Sequence, residues 1–220
     1  MLNSIKQVSK CGTLLILIVL CFQNSFGQIS DKEFLNQKMV WKDSDSPNVL
    51  WFCSILAAKG IPVGIEKASD FGKSKDKQAI RVETGTLMEI LDSFVKQEPD
   101  YSWKVEQGVV NIYPAVSADK VVKDILDVRI QNFSLKQQIG RKQIVELIYS
   151  SETVKNFLDT EKIKLIISPW SESEDQKVTI NFSPSGTNLR EILNQAAKKR
   201  VDIKWWSIQR AETGEIFIVF

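Results

Sequence analysis

The residue types that carry out most protein chemistry are scarce in this sequence of 220 residues. It contains no histidine, and its three cysteines are Cys11, Cys21 and Cys53. A nucleophilic serine or cysteine needs a basic partner, so the Ser-His and Cys-His systems are excluded. Zinc sites built on imidazole or on paired thiolates are excluded as well. We therefore predict no catalytic residue, no metal and no cofactor.

Carboxylates are the remaining candidates for acid–base or calcium chemistry. Glu172, Glu174 and Asp175 stand close together in the segment SPWSESEDQ. This composition is typical of a polar loop, where carboxylates are ordinarily solvated. A carboxylate-dependent glycan hydrolase is therefore the lesser alternative to a protein without enzymatic activity.

The first 27 residues have the features of a secretory signal peptide. Lys6 and Lys10 precede an apolar run of about 12 residues, CGTLLILIVLCF, and small residues follow at Ser25 and Gly27. The run is short for a membrane span, although an uncleaved anchor is the alternative. We expect cleavage near Gly27-Gln28 and a periplasmic or secreted product, which contacts the membrane only before cleavage.

Charge and cysteine content narrow the choice of partners. The chain has 29 Lys and Arg against 27 Asp and Glu, so loss of Lys6 and Lys10 leaves a net charge of zero. Nucleic-acid binders carry a basic excess, so we predict no nucleic-acid partner.

After cleavage of the predicted signal peptide, Cys53 would be the one cysteine that remains, which excludes an intramolecular disulfide. Its position in the apolar segment VLWFCSILAA predicts a buried thiol, with an intermolecular disulfide as the alternative.

A repeated phrase organises the rest of the chain. GTLMEILDSF starts at Gly85, GTNLREILNQA starts at Gly186, and a shift of about 102 residues also aligns apolar positions around both phrases. Each copy reads as helix, strand, strand, helix and hairpin. The predicted helices are 48–59 and 86–97 in the first copy and 152–160 and 187–200 in the second, and the predicted strands are 61–66 and 78–83, then 162–168 and 177–182.

These patterns predict an α+β fold of two tandem repeats, with small mixed sheets packed on helices. Residues 28–46 form a polar N-terminal segment, a short helix or an ordered tail. The first repeat spans 47–116. The second spans 117–220 and has an extra leading strand in ILDVRIQNF and an extra helix in RKQIVELIYS.

The sequence resembles a known envelope module at this point. A strand leading to Gly-Thr-Leu-x-Glu-x-Leu, an amphipathic helix, an aromatic strand and then GVVNIYP is similar to the secretin and TonB short N-terminal domain. The small domain of periplasmic anti-sigma regulators has a related pattern. The match is fullest over 47–114 and less full over 157–220. The resemblance implies a periplasmic module that binds envelope proteins, here duplicated and without the barrel or secretin part.

Two adjacent tryptophans are the candidate binding residues. The shift of 102 aligns Trp205 with Trp103, which predicts that Trp205 belongs to the core. Side chains alternate along a strand, so Lys204, Trp206, Ile208 and Arg210 are predicted on the opposite face. Exposed aromatic residues with polar neighbours are typical of partner-binding surfaces. The expectation is a protein-binding patch. One alternative is that this face packs against the other repeat or the N-terminal segment, and another is a glycan or peptidoglycan site.

Overall fold

A computed structural model describes residues 30–41, 49–67, 84–116, 118–131, 136–168, 177–183, 185–199 and 204–220. Within these ranges the chain folds into seven helices and twelve strands, which confirms the predicted mixed α and β class. The predicted signal peptide, 1–27, lies outside them. No helix in the described ranges has the length and hydropathy needed to cross a membrane.

The first half of the chain contains three helices and five strands. In chain order they are α1 (Asp31–Leu35), β1 (Lys38–Val40), α2 (Val49–Ala58), β2 (Val63–Glu66), β3 (Thr84–Thr86), α3 (Leu87–Gln97), β4 (Tyr101–Glu106) and β5 (Val109–Pro114).

The second half contains four helices and seven strands. They are α4 (Lys120–Asp127), β6 (Arg129–Ile130), β7 (Lys136–Ile139), α5 (Arg141–Ser150), α6 (Glu152–Glu161), β8 (Leu165–Ser168), β9 (Val178–Asn181), β10 (Thr187–Asn188), α7 (Leu189–Lys199), β11 (Trp205–Arg210) and β12 (Ile216–Val219).

One sheet of six strands joins the two halves, in the order β4-β5-β2-β11-β12-β8. Each half supplies a hairpin whose second strand pairs in parallel with an earlier strand, so β4-β5-β2 and β11-β12-β8 have the same internal arrangement. The two triplets meet where β2 pairs with β11 in parallel. The sequence predicted small sheets for each repeat, and the shared sheet was not predicted.

The two triplets are related by a half-turn. β5, β2 and β11 run in one direction, whereas β4, β12 and β8 run in the other. The strand order is the same from left to right but every direction is reversed, so the rotation axis lies in the sheet and perpendicular to the strands. Such a rotation exchanges the two faces of the sheet. The helices of the two halves therefore cover opposite faces.

The hydrophobic cores agree with this arrangement. One core contains α2, α3 and the residues of β2, β4 and β5 that face them, with Trp205 packed at its margin. The other contains buried residues from the second half only, including Trp206 and Ile208. Because Trp205 and Trp206 are adjacent in one strand, the two cores lie on opposite sides of the sheet.

The predicted helices and strands are largely confirmed within the described residues. β2 and β8 start at Val63 and Leu165, and α3 and α7 start at Leu87 and Leu189, each pair 102 positions apart. Both predicted hairpins are present. The predicted strand 78–83 lies outside the described residues. The matching order of elements supports the duplication, which stays a prediction.

The leading strand predicted to be extra in the second repeat has a counterpart in the first. The Leu87 amide donates to the Gln37 carbonyl at 3.0 Å, and the Leu189 amide donates to the Val128 carbonyl at 3.1 Å. A short helix and strand thus precede both halves, α1–β1 and α4–β6. Within the segment 28–46, which was predicted to precede the first repeat, α1 and β1 thus occupy the place that α4 and β6 have in the second half, and the predicted boundary stays a prediction. What is extra in the second half is β7 together with α5.

The capping box predicted at Thr86 and Glu89 is present at the start of α3. The Glu89 amide donates to the Thr86 hydroxyl at 3.2 Å, and the Thr86 amide donates to the Glu89 carboxylate at 2.7 Å. These bonds from Thr86 lower the pKa of Glu89. Ser30 and Glu33 form the same motif at the start of α1, but α1 buries no residue.

We predict that Thr86→Ala destabilises the protein by about 1 kcal/mol, the usual cost of losing such a cap. Ser30→Ala is the matched control and should cost less, because α1 buries no side chain completely and only the half-buried Phe34 and Leu35 pack against the first core. Because the pKa of Glu89 is lowered in the folded state, its contribution is present above about pH 4.5 and is lost as the pH falls further. Urea unfolding at pH 7 and pH 3 measures both effects, and a smaller Thr86 effect at pH 7 than at pH 3 would contradict them.

Candidate functional site

The predicted binding patch is not a surface. Trp206 and Ile208 are 0% exposed and belong to the second core, whereas Trp205 is half-buried and packs at the margin of the first. Trp206, which was expected on the surface, is therefore the more deeply buried of the two tryptophans, and Trp205, which was expected in the core, is only half-buried against the first core. The alternative that this face packs inside the protein is the one observed.

The alignment of the two halves is wrong by an odd number of residues in β11, and this error explains why Trp206 and not Trp205 is fully buried. Across the sheet, Val105 lies beside Val110 and Val63 in the first half, while Arg210 lies beside Ile216 and Leu165 in the second. The offset in this strand is therefore 105 (from 105 to 210), not 102. Because side chains alternate with a period of two, an error of three residues moves every side chain to the opposite face.

The two basic members of the predicted patch, Lys204 and Arg210, are half-buried. The Arg210 Nε donates to the Gly214 carbonyl at 3.4 Å, and its guanidinium lies 3.8 Å from the carboxylate of Asp119, the N-cap of α4. The Lys204 carbonyl accepts from the Val63 amide at 2.8 Å, within the β2–β11 junction. Lys204, Trp206, Ile208 and Arg210 thus do not form a partner-binding patch.

Trp206 fits into the junction between the halves. Its indole lies directly against Gly64 of β2, where an added Cβ would come within 2.3 Å of the ring. The indole N–H donates to the Asn194 side-chain oxygen on α7 at 2.8 Å. Both Trp206 and Asn194 are buried, so the single polar atom of the indole is satisfied inside the core. A side chain at position 64 is excluded by the ring rather than by backbone geometry.

Two further contacts from α7 reach the first half. Arg190 forms an ion pair with Glu66 of β2, and both side chains are about nine-tenths buried. At the other end of the helix, the Lys198 ammonium donates to the Gln107 carbonyl at 2.6 Å, in the turn of the first hairpin. Removing one member of a buried pair leaves an uncompensated charge, so the pair fixes α7 over the junction.

A shallow pocket opens beside α7. Its volume is about 370 Å³, and both halves line it. The polar groups at its wall include the carboxylate, amide and ammonium groups of Glu191, Asn194, Gln195, Lys198 and Lys199, together with Gln107. Burial and the neighbouring Lys136 and Lys198 lower the pKa of Lys199. This composition suits polar ligands that exchange several hydrogen bonds, and it lacks an exposed aromatic platform among its lining residues.

An apolar part of the sheet is the surface that the sequence reasoning missed. Strand pairing places Ile166, Phe217 and Val219 on the face opposite Trp206, beyond the area that α2 and α3 cover. All three are half-buried and belong to neither core. We refer to these three residues as the open face. The sequence EIFIVF carries a signal for it, because a strand that is apolar at consecutive positions meets apolar surroundings on both sides.

Cys53 is buried as predicted. Its side chain is 0% exposed within the first core, and burial raises the pKa of the thiol. Burial also lowers the pKa of Lys67, whose charge acts on this thiol. A neutral, enclosed thiol is a poor nucleophile, so this cysteine acts as a packing residue.

The described ranges contain no group of three or more Cys, Asp or Glu residues placed to hold a metal ion. The carboxylates considered for glycan hydrolysis, Glu172, Glu174 and Asp175, lie outside those ranges. Comparison of the chain with protein-family models, with curated proteins and with solved structures finds no match. The resemblance to the secretin and TonB short N-terminal domain therefore stays a prediction.

We predict that Gly64→Ala destabilises the protein by about 1–3 kcal/mol, because the new methyl group meets the indole of Trp206. Trp206→Leu leaves room for this methyl group, so the two changes together should cost less than the sum of the single changes. Denaturant unfolding of the single and double variants measures this coupling. Additive costs would show that Gly64 is not needed for the fit of the indole.

We also predict that native Cys53 resists alkylation. Because burial raises its pKa, an increase from pH 7 to pH 9 should change the native labelling rate much less than it changes that of an exposed thiol. Labelling should become fast in denaturant, where the thiol regains its ordinary pKa. Mass spectrometry after a timed pulse of iodoacetamide measures both rates, with denatured protein as the control.

Proposed function

We propose that this chain is an exported, non-enzymatic interaction protein that binds another protein of the cell envelope. The features in favour of export are Lys6, Lys10, the apolar run and the small residues before Gln28. In its favour as a binding protein is the open face, an apolar sheet surface outside both hydrophobic cores. Secretion, TonB-dependent uptake and envelope signalling are the processes that the resemblance implies for such a module.

The open face carries the proposal because it differs from both covered areas of the sheet. On the Trp206 side, α7 packs against β2, β5 and β11. On the other side, the first core extends as far as Trp205 and includes no residue of β8 or β12. Ile166 and Phe217 lie opposite each other on β8 and β12. Apolar side chains grouped in this way are typical of the centre of a protein interface.

Glycan or peptidoglycan binding is the second candidate, and the polar pocket beside α7 favours it. Hydroxyl-rich ligands are held by converging amide and charged groups, and Glu191, Gln195 and Lys198 supply them there. The pocket and the open face lie on opposite sides of the sheet. Separate substitutions can therefore distinguish the two candidates.

We predict that Phe217→Thr weakens binding to the protein partner by about 2 kcal/mol or more, which is about 30-fold. Threonine retains a high strand propensity, so the fold should persist. Val116→Thr is the matched control, since Val116 is 85% exposed and lies in neither core.

The partner is identified by placing a photo-crosslinking amino acid at position 217 or at position 116 in growing cells. A defined protein adduct at 217 that is absent at 116 is expected. Co-sedimentation with purified peptidoglycan tests the alternative, using Glu191→Gln as the pocket variant. Binding to peptidoglycan that Glu191→Gln abolishes, with no adduct at 217, would replace the proposed function by the second candidate.

A further inference from the structure

The two outer strands of the six-stranded sheet, β8 and β4, hold the same positions in their triplets as the two strands that meet at its centre, β2 and β11. β2 is the last strand of the first triplet and β8 is the last strand of the second; β11 and β4 are the corresponding first strands. At the centre, the last strand of one triplet pairs in parallel with the first strand of the other. Within the described residues, β8 pairs only with β12 and β4 pairs only with β5.

The backbone groups at these two outer edges point outwards in the same pattern as at the junction. The Val63 amide donates to the carbonyl of Lys204, just before β11, and the Lys67 amide donates to the carbonyl of Ile208 in β11. In β8, Leu165 and Ile167 occupy the positions of Val63 and Ile65. Backbone groups of successive residues in β4 point alternately towards β5 and away from it. The bond from the Ala115 amide to the Asp100 carbonyl shows that Asp100 and every second residue after it point towards β5. The amides of Trp103 and Val105 therefore point away from β5.

One side chain occupies the outer edge of β8. The Tyr149 hydroxyl accepts from the Ile167 amide at 3.0 Å and donates to the Leu165 carbonyl at 3.3 Å. A neighbouring strand would use these same two backbone groups. Tyr149 lies near the end of α5, and its side chain remains 40% exposed.

The helix that carries Tyr149 belongs to the insertion of the second half. Only eight residues, 41–48, separate β1 from α2, whereas 131–151 separate β6 from α6 and contain β7 and α5. The last strand of the first triplet needs no cap, because β11 covers it. In the described part of the chain, β8 has no such neighbour. The additional helix, α5, lies beside β8.

We propose that the outer edges of β8 and β4 are complementary, so that β8 of one copy could accept β4 of the next in parallel, and that the Tyr149 hydroxyl blocks this addition in the unsubstituted protein. The occupant is a second copy because the β2–β11 junction already joins equivalent edges. Repetition of the same half-turn does not close on itself, so the assembly would be open-ended. Edge strands are commonly protected from such pairing by a covering element.

The register of the contact follows from the junction. Trp206 lies opposite Gly64 and Ile208 lies opposite Glu66. The equivalent positions place Tyr101 opposite Ile166 and Trp103 opposite Ser168. Ile166 has a branched side chain where Gly64 has none, so the contact between copies lacks the fit that Trp206 makes at the junction. This difference favours pairing within the chain over pairing between chains.

The experiment compares the purified protein with Tyr149→Phe by sedimentation velocity over a range of concentrations. Phenylalanine keeps the ring but removes both hydrogen bonds, so self-association should strengthen about tenfold or more. Tyr113→Phe is the matched control, because it removes a half-buried hydroxyl from β5 without changing either outer edge. Circular dichroism and thermal unfolding verify that each variant is folded.

A second substitution tests which edges meet. Trp103→Pro removes the outward β4 amide that this register places against β8, where an edge strand tolerates proline. In the Tyr149→Phe background it should restore the behaviour of the unsubstituted protein, and Trp103→Ala controls for loss of the ring. Hydrogen exchange at the Ile167 amide should be faster in Tyr149→Phe when it is dilute. A folded Tyr149→Phe variant with a faster amide but unchanged self-association would overturn the proposal. Oligomers that persist with Trp103→Pro would overturn it equally.

Discussion

The contact between Trp206 and Gly64 is the constraint on which the rest of the structure depends. It places the largest buried side chain of the second core against a backbone position of the first half that has no side chain. The hydrogen bond to Asn194 then fixes α7 over the same point, and the ion pair of Arg190 with Glu66 repeats the connection one turn earlier in the helix. These contacts also set the register of the parallel pair β2–β11. A slip by one residue would turn each side chain of β11 towards the opposite core.

The sequence was most informative where a signal was local. The stripe Leu87, Ile90, Leu91 and Phe94 predicts a helix with one buried face, and all four are 0% exposed. The two hairpins were found from their turn residues, and Gln107 and Gly108 both have positive φ as a tight turn requires. Local spacing decides such elements, since hydrogen bonds between near neighbours and one buried face suffice to define them.

The sequence was least informative where a result depended on residues far apart. The shared sheet requires β2 and β11 to meet although about 140 residues separate them, and no periodicity reports such a pairing. The prediction of a binding patch around Trp206 was wrong for a related reason. A repeat alignment can be right in α7 and wrong in β11, because a gap of three residues between them leaves a helix stripe unchanged but reverses the faces of a strand. Trp206 thus lies in the core and Phe217 lies on the open face.

The half-turn between the triplets explains which parts of the sheet are covered by helices and which part stays uncovered. Each triplet covers only one of its faces with its own helices, so joining two triplets edge to edge lets α7 extend across the junction onto β2 and β5. The same operation leaves one end of each face without helices from its own half. At the first end, Lys104 pairs with Glu106 at 2.9 Å and lies over the Tyr113 ring, so that surface is polar. At the second end, Ile166, Phe217 and Val219 are apolar, and this asymmetry between otherwise equivalent ends is the reason for proposing the open face, and not the first end, as the binding surface.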